Sequence, residues 1–233
     1  QIPVITEHPM TALERRAVSS LALLYSFRML GLFMVLPLLA LYAADLPDAT
    51  PSLIGLALGI YGLTQAVLQI PLGWLSDQVG RKPVIVGGLL LFAAGSVVAA
   101  VADSLWGIVL GRALQGAGAI AATVMALVAD LTSEEQRTKA MAIVGVSIGL
   151  SFAVALVLGP VIAAAGGLTS VFWVTGLLAL GGIAIVLLLV PSPATGPVEH
   201  EDLGASPGMF GRALRDPTLL RLNFGVFSLH FIL

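Results

Sequence analysis

Apolar runs of about the length of a bilayer, separated by short polar links, leave this chain one kind of fold. Six such runs are legible, at residues 17–42, 54–75, 84–101, 105–129, 140–165 and 171–190. Each is near or above the ~20 residues that carry a helix across a hydrocarbon core. Lipid offers no partner to an open strand edge, so the runs are read as α-helices. A shorter apolar stretch at 222–233 reads as the beginning of a seventh span. The expected fold class is therefore an all-α membrane protein.

Composition agrees. Hydrophobic residues make up 58% and charged residues 10% of the 233 residues, and the mean hydropathy is +1.02; soluble domains are usually about 25% charged. With no cysteine, the chain has no disulfide framework, thiolate metal site or cysteine nucleophile. The first ten residues lack a basic region followed by a cleavable apolar core, so no signal peptide is read there. The chain opens on Gln1, consistent with a start further upstream.

Basic residues set the orientation. Nine of the eleven lie on one side: Arg15 and Arg16 before the first span, Arg81 and Lys82 between the second and third, Arg137 and Lys139 between the fourth and fifth, and Arg212, Arg215 and Arg221 after the sixth. The opposite links, around 45–48, 103–104 and 166–167, have none. That side is expected to be cytoplasmic. The organisation expected is a cytoplasmic amino terminus (1–16), a six-span bundle (17–190), a Pro-, Gly- and acid-rich cytoplasmic linker (191–216) and the start of a seventh span (217–233). Two sets of three tightly linked spans followed by a long loop fit a 3+3 inverted repeat, although no repeat appears at the level of residue identity.

The densest polar stretch is the link between the second and third spans, Gly73-Trp74-Leu75-Ser76-Asp77-Gln78-Val79-Gly80-Arg81-Lys82-Pro83. Asp77 falls near the carboxyl end of its helix, where the helix dipole is already negative. It needs a partner: Arg81 one turn on, or the amino terminus of another helix. Gly80 permits a tight turn, Pro83 suits a first helical turn, and Gly73 allows close packing. Asp130 repeats the problem at the end of the fourth span, so a network of Asp77, Arg81 and Asp130 is expected.

The pattern Gly73-x-Leu75-x-Asp77-x-x-Gly80-Arg81-Lys82 resembles the signature loop of the major facilitator superfamily. Residues 29–37, 59–66 and 111–116, the last containing Arg112-Ala113-Leu114-Gln115-Gly116, resemble its bacterial drug:proton antiporter branch. In the fifth span Gly159-Pro160 matches, whereas Ala155, Ala163 and Ala164 stand where antiporters often have glycine. The resemblance implies the amino-terminal six-helix bundle of a twelve-span carrier. It implies a multi-pass, monomeric protein of the bacterial inner membrane that exchanges protons for a small molecule, such as an apolar or amphipathic drug, by alternating access. It involves no cofactor, metal or nucleic acid. Gly73, Asp77, Gly80, Arg81, Lys82 and Asp130 would form a conformational latch; Pro37, Gly116, Gly159 and Pro160 would serve packing.

Two cations lie inside spans. Arg28 is about 11 residues into the first, roughly 16 Å deep at 1.5 Å per residue, where a lipid-facing charge costs about 2.5–3.5 kcal/mol. It must face protein or water. Arg112 is roughly 12 Å from the opposite side, close enough to snorkel partly. It either takes part in coupling, as the resemblance implies, or donates to backbone carbonyls of neighbouring spans. Tyr61, Gln65 and Gln69 recur every four residues and share one face. They either line a cavity with Arg28 or join helices. Phe33, Met34 and Met125 could wall a cavity or simply pack. No acid lies mid-span, so a proton carrier would be Asp77, Asp130, His230 or a residue elsewhere. Gly145-Val146-Ser147-Ile148-Gly149 fits a hydrolase elbow in letters, but it lies within a spanning helix and lacks a base. No Gly-x-x-x-x-Gly-Lys is present for ATP. A facilitator or nutrient symporter, and a receptor that moves nothing, are the rival readings to a proton-coupled exporter.

Overall fold

Polar residues at the expected places start the helices. A computed structural model describes residues 9–46, 48–191 and 215–232. Helix α1 (Ala12–Tyr42) opens on a capping box in which Thr11 and Glu14 satisfy one another's backbone. Helix α2 (Pro51–Val79) has Thr50 as its cap and Pro51 in its first turn, α3 (Arg81–Ala100) follows after Gly80 alone, and α4 (Leu105–Ala117) is capped by Ser104. Then come α5 (Ala121–Asp130), α6 (Glu134–Leu188) and α7 (Pro217–Ile232). Among the described residues there is no strand.

Two spans depart from a straight rod. Helix α6 is 55 residues long and contains two non-helical residues, Gly166 and Gly167, which divide it into arms at 134–165 and 168–188. Gly167 has φ 65° and ψ −159°, open to glycine and costly for other residues. The arms are the expected fifth and sixth spans. The run at 105–129 was expected as one helix and is two. The chain leaves the helix at Gly118 (ψ 45°), and α5 begins at Ala121. The break lies at a close contact with α3: a Cβ on Gly118 would enter the carbonyl of Gly88, and one on Gly88 would enter the Ile120 side chain.

Among the described residues, five helices are long and apolar enough to cross a membrane, with α4 and α5 counted as one and α6 long enough for two. The chain divides into two compact units, Gln1–Ala194 and Thr195–Leu233; α7 belongs to the second. In the first, α1 packs along α6, α3 lies against α4 and α6, and α2 lies against α4. Small residues permit the approach: a Cβ on Gly111 would sit 2.6 Å from the Gly95 carbonyl. One apolar cluster gathers around Leu21, Ile85, Phe92 and Val186, a second around Leu39, Leu105 and Phe172. Helix α2 and the 134–165 arm turn much of their apolar surface away from this core, as Val67 (62% exposed) and Val146 (73%) show.

Candidate functional site: a charged turn and two buried arginines

The α2–α3 turn is built on Gly80, whose φ of 99° favours glycine. It swings Arg81 back under α2. Arg81 Nη1 pairs with Asp77 Oδ1 and donates to Ser76 Oγ at 2.7 Å, while Nε donates to Asp130 Oδ2 at 3.1 Å. Ser76 is buried and its hydroxyl donates to the Gly73 carbonyl at 2.6 Å. One guanidinium therefore holds the carboxyl ends of α2 and α5 together. The carboxylates remain partly wet: their side chains are 56% (Asp77) and 34% (Asp130) exposed, against 21% for Arg81.

Two members of the expected loop group do other work. Lys82 Nζ donates to the Val190 carbonyl at 2.6 Å. Arg16 joins it there, donating from Nε to Leu189 O at 3.1 Å and from Nη2 to Leu188 O at 3.4 Å. Two cations thus cap the 168–188 arm, where the helix dipole is negative. Gly73 is not needed for close packing either, since a Cβ there would meet only Ala122 Cβ at 3.9 Å; its carbonyl is what the turn uses.

The second group lies in the bundle interior. Arg28 is 1% exposed and Arg112 is fully buried. Arg28 Nη2 donates to Tyr61 Oη at 3.2 Å and to Gln65 Oε1 at 3.4 Å. Arg112 Nη1 donates to Gln115 Oε1 at 2.8 Å, and Nε donates to the Ala57 carbonyl at 3.4 Å. Gln115 Nε2 donates in turn to Ser96 Oγ at 2.8 Å. Tyr61 joins the two cations: its hydroxyl accepts from Arg28, and its ring lies 4.6 Å from the Arg112 guanidinium carbon. Phe92 lies 5.6 Å from that of Arg28. Arg28 Nε and Nη1, Arg112 Nη2 and the Thr123 hydroxyl are buried with no partner. Arg112 does not snorkel, because α2 and Gln115 enclose it.

The remaining expectations divide. Gly116 packs as expected, since a Cβ there would enter Thr64 and the Tyr61 carbonyl. Gly159 lies against Met34 and Leu38. Pro37 and Pro160 are exposed within their helices, so neither packs inside this bundle. Met34 is fully buried in the second cluster, whereas Phe33 is partly buried and meets Phe152 edge-on at 5.2 Å. Gln69 is partly buried and outside the Arg28 group. The side chain of His230 lies outside the described residues, as does 192–214 of the expected linker. Sequence reasoning missed Glu14. Besides capping α1, it accepts from the Ser133 amide at 2.9 Å and so ties α1 to the start of α6. The Thr11-x-x-Glu14 spacing is the signal that could have found the cap; it carries no trace of the second partner. Among the described residues, no three His, Asp or Glu could share a metal ion.

Comparison with known proteins places this geometry. The Major Facilitator Superfamily model matches residues 21–233. The inner membrane transport protein YajR of Escherichia coli (strain K12) is 56% identical over 98% of this chain and 50% of its own length. The class B tetracycline resistance protein of Escherichia coli is 36% identical over 48% of this chain and 27% of its own. The crystal structure of the human organic anion transporter MFSD10 (TETRAN) superposes with a TM-score of 0.64 at 24% identity, over 80% of this chain and 52% of that one. The chain spans about half the length of YajR. With the family model matched along most of its length, the chain belongs to the major facilitator superfamily of membrane transporters.

Proposed function

We propose that this chain contributes the amino-terminal bundle of a proton-coupled carrier that exports drugs or small metabolites across the bacterial inner membrane by alternating access. Residues 17–190 form that bundle, 191–216 link it and 217–233 begin the next. The carrying observation is Arg81, held between Asp77 on α2 and Asp130 on α5. Salt bridges at a wet edge are each worth ~0–1 kcal/mol, so the group can form in one state and open in the other without trapping either. In this reading Asp77, Arg81, Asp130 and the Gly80 turn are a latch, and Arg28, Tyr61, Gln65 and Arg112 line the route or couple to it. Similarity to an inner membrane transport protein and to a tetracycline resistance protein supports location and export.

A facilitator is the second reading. It is favoured by one observation: among the described residues the buried acid is Glu14, which is already engaged by Thr11 and Ser133. Proteoliposomes of the full-length protein with an acidic lumen separate the two. An antiporter accumulates tetracycline and releases lumenal protons as it does so. Entry that only equilibrates, whatever the gradient, favours the facilitator. Entry no faster than in empty liposomes across a panel of amphipathic compounds refutes transport.

A further inference from the structure

We infer that the bundle interior is an anion-binding centre, in which Arg28, backed by Arg112 through Tyr61, receives the carboxylate of an apolar organic acid. This names a substrate class for the proposed carrier and rests on that reading. Every acceptor that the two guanidiniums meet is neutral: a tyrosine hydroxyl, two glutamine carbonyls and the Ala57 carbonyl. Buried charges are ordinarily paired with opposite charge. Here two positive groups are buried together, and three of their six nitrogens have no partner. Of an arginine's five N–H groups, both on Nη2 of Arg28 are engaged, and those on Nε and Nη1 face no acceptor. The Tyr61 hydroxyl accepts from Arg28 and donates to no described group, so its proton is also available.

The chain does not lack acids. Among the described residues, Arg81 at the bundle edge has two carboxylates, and Arg28 and Arg112 have none. The break in span four adds to the imbalance. Helix α5 opens at Ala121 with no side-chain cap, and Thr123, in its first turn, has a fully buried hydroxyl without a partner. Helix amino termini favour anions, and discontinuous spanning helices present them to anionic substrates. Phe92 connects the features: its ring is the one near Arg28, and its amide would be 3.3 Å from a Cβ on Gly118. Phe92, Tyr61, Ile120 and Val124 belong to the apolar cluster around this charge. Such a setting suits a flat carboxylate with an apolar body better than a hydrated inorganic ion, and it repels a lipophilic cation.

Thermal unfolding of the detergent-purified, full-length protein tests this with three probes of one shape: 2-naphthoate, 2-naphthamide and 2-naphthylmethylammonium, with acetate at matched ionic strength as control. Naphthoate should raise the midpoint saturably, and the other three should not. Arg28→Gln should weaken the naphthoate response roughly ten- to a hundredfold, the loss expected for hydrogen bonds to a charged group, and Arg28→Lys should fall between. Without ligand, Arg28→Gln should unfold at or above the wild-type temperature, since it removes an uncompensated charge. Should it fail to fold, Tyr61→Phe, which deletes one hydroxyl, should still weaken naphthoate severalfold. No naphthoate response, an equal response to the amide or amine, or a response unchanged by these variants overturns the inference. So does a ligand-free Arg28→Gln midpoint well below wild type, which would mean that an acid elsewhere in the protein already pairs with Arg28. Naphthoate that binds but never crosses a proteoliposome refutes the carrier and leaves the anion centre standing; proton-driven export of the amine without naphthoate binding does the reverse.

Discussion

Arg81→Ala should shift the balance between the outward- and inward-facing states, and its size can be worked from the contacts. The substitution removes an ion pair to Asp77, a charge-assisted bond to Asp130 at 3.1 Å and a bond to buried Ser76 at 2.7 Å. Partly exposed pairs are worth ~0.2–1 kcal/mol each, and the bond from the partly wet Arg81 guanidinium to Ser76 ~1 kcal/mol. The two carboxylates are 56% and 34% exposed, so the lower part of that range applies, and the sum is about 1–2 kcal/mol. If the group exists in only one state, its loss changes the population ratio roughly five- to thirtyfold. This chain has no cysteine, so one placed at Val67, on the exposed face of α2, reports without background from this half. Its rate of reaction with a membrane-impermeant maleimide, measured from each side of oriented vesicles, should move in opposite directions by that factor. Asp77→Asn, which removes one pair, should give a smaller shift of the same sign. Rates within twofold of wild type for both variants, in folded protein, would refute the latch.

Other substitutions read the frame that holds these groups. Gly116→Ala drives a methyl into Thr64 and the Tyr61 carbonyl; overpacking costs ~1–3 kcal/mol or more, so a lower unfolding midpoint and lower yield are expected. Gly167→Ala forces alanine to φ 65° in the hinge of α6, and the same assay should show a loss of ~1–3 kcal/mol. Glu14→Gln should lower the midpoint by roughly 2–4 °C, because Ser133 and Thr11 lose a charged acceptor. Thr11→Ala alone should cost less, since it leaves the Ser133 contact in place.

Much of this arrangement is legible in the residues, for physical reasons. Continuous apolar length marks the spans, and the concentration of charge between 77 and 82 marks the turn. Asp77, Arg81 and Asp130 could be grouped because each carboxylate sits at the wrong pole of a helix. The four-residue spacing of Tyr61, Gln65 and Gln69 put them on one face and left open whether that face meets Arg28 or joins helices; Tyr61 and Gln65 meet Arg28. The break at 118–120 was not legible. Gly116-Ala117-Gly118-Ala119-Ile120 is as apolar as its flanks, and glycine in a spanning helix reads equally well as close packing. What marks it is Gly88, thirty residues earlier, pressed against Gly118. The partner of Lys82 was hidden for a similar reason: a backbone carbonyl at Val190 carries no side-chain signature.

Helix α2 carries residues of both charged groups, and this bears on how they could communicate. Helix α2 holds Tyr61 and Gln65 in the interior and Ser76 and Asp77 at the turn, roughly 17–24 Å away at 1.5 Å per residue. It is one helix through both ends, with Pro71 between them, so a tilt of α2 moves both ends. The opposite wall is divided: Arg112 and Gln115 lie on α4, Asp130 lies on α5, and the break between them has no helical hydrogen-bond ladder to transmit a displacement. In the proposed cycle, releasing Arg81 from Asp130 frees α5 without pulling Arg112 from Gln115, while releasing it from Asp77 frees α2 and with it the Arg28 acceptors. Coupling between edge and interior should therefore run through α2. A double-mutant cycle on naphthoate binding should show coupling between Asp77→Asn and Gln65→Leu of at least ~0.5 kcal/mol, and additivity between Asp130→Asn and Gln115→Leu. Equal coupling in both pairs would mean that the broken helix transmits as well as the whole one, and that α2 has no special part.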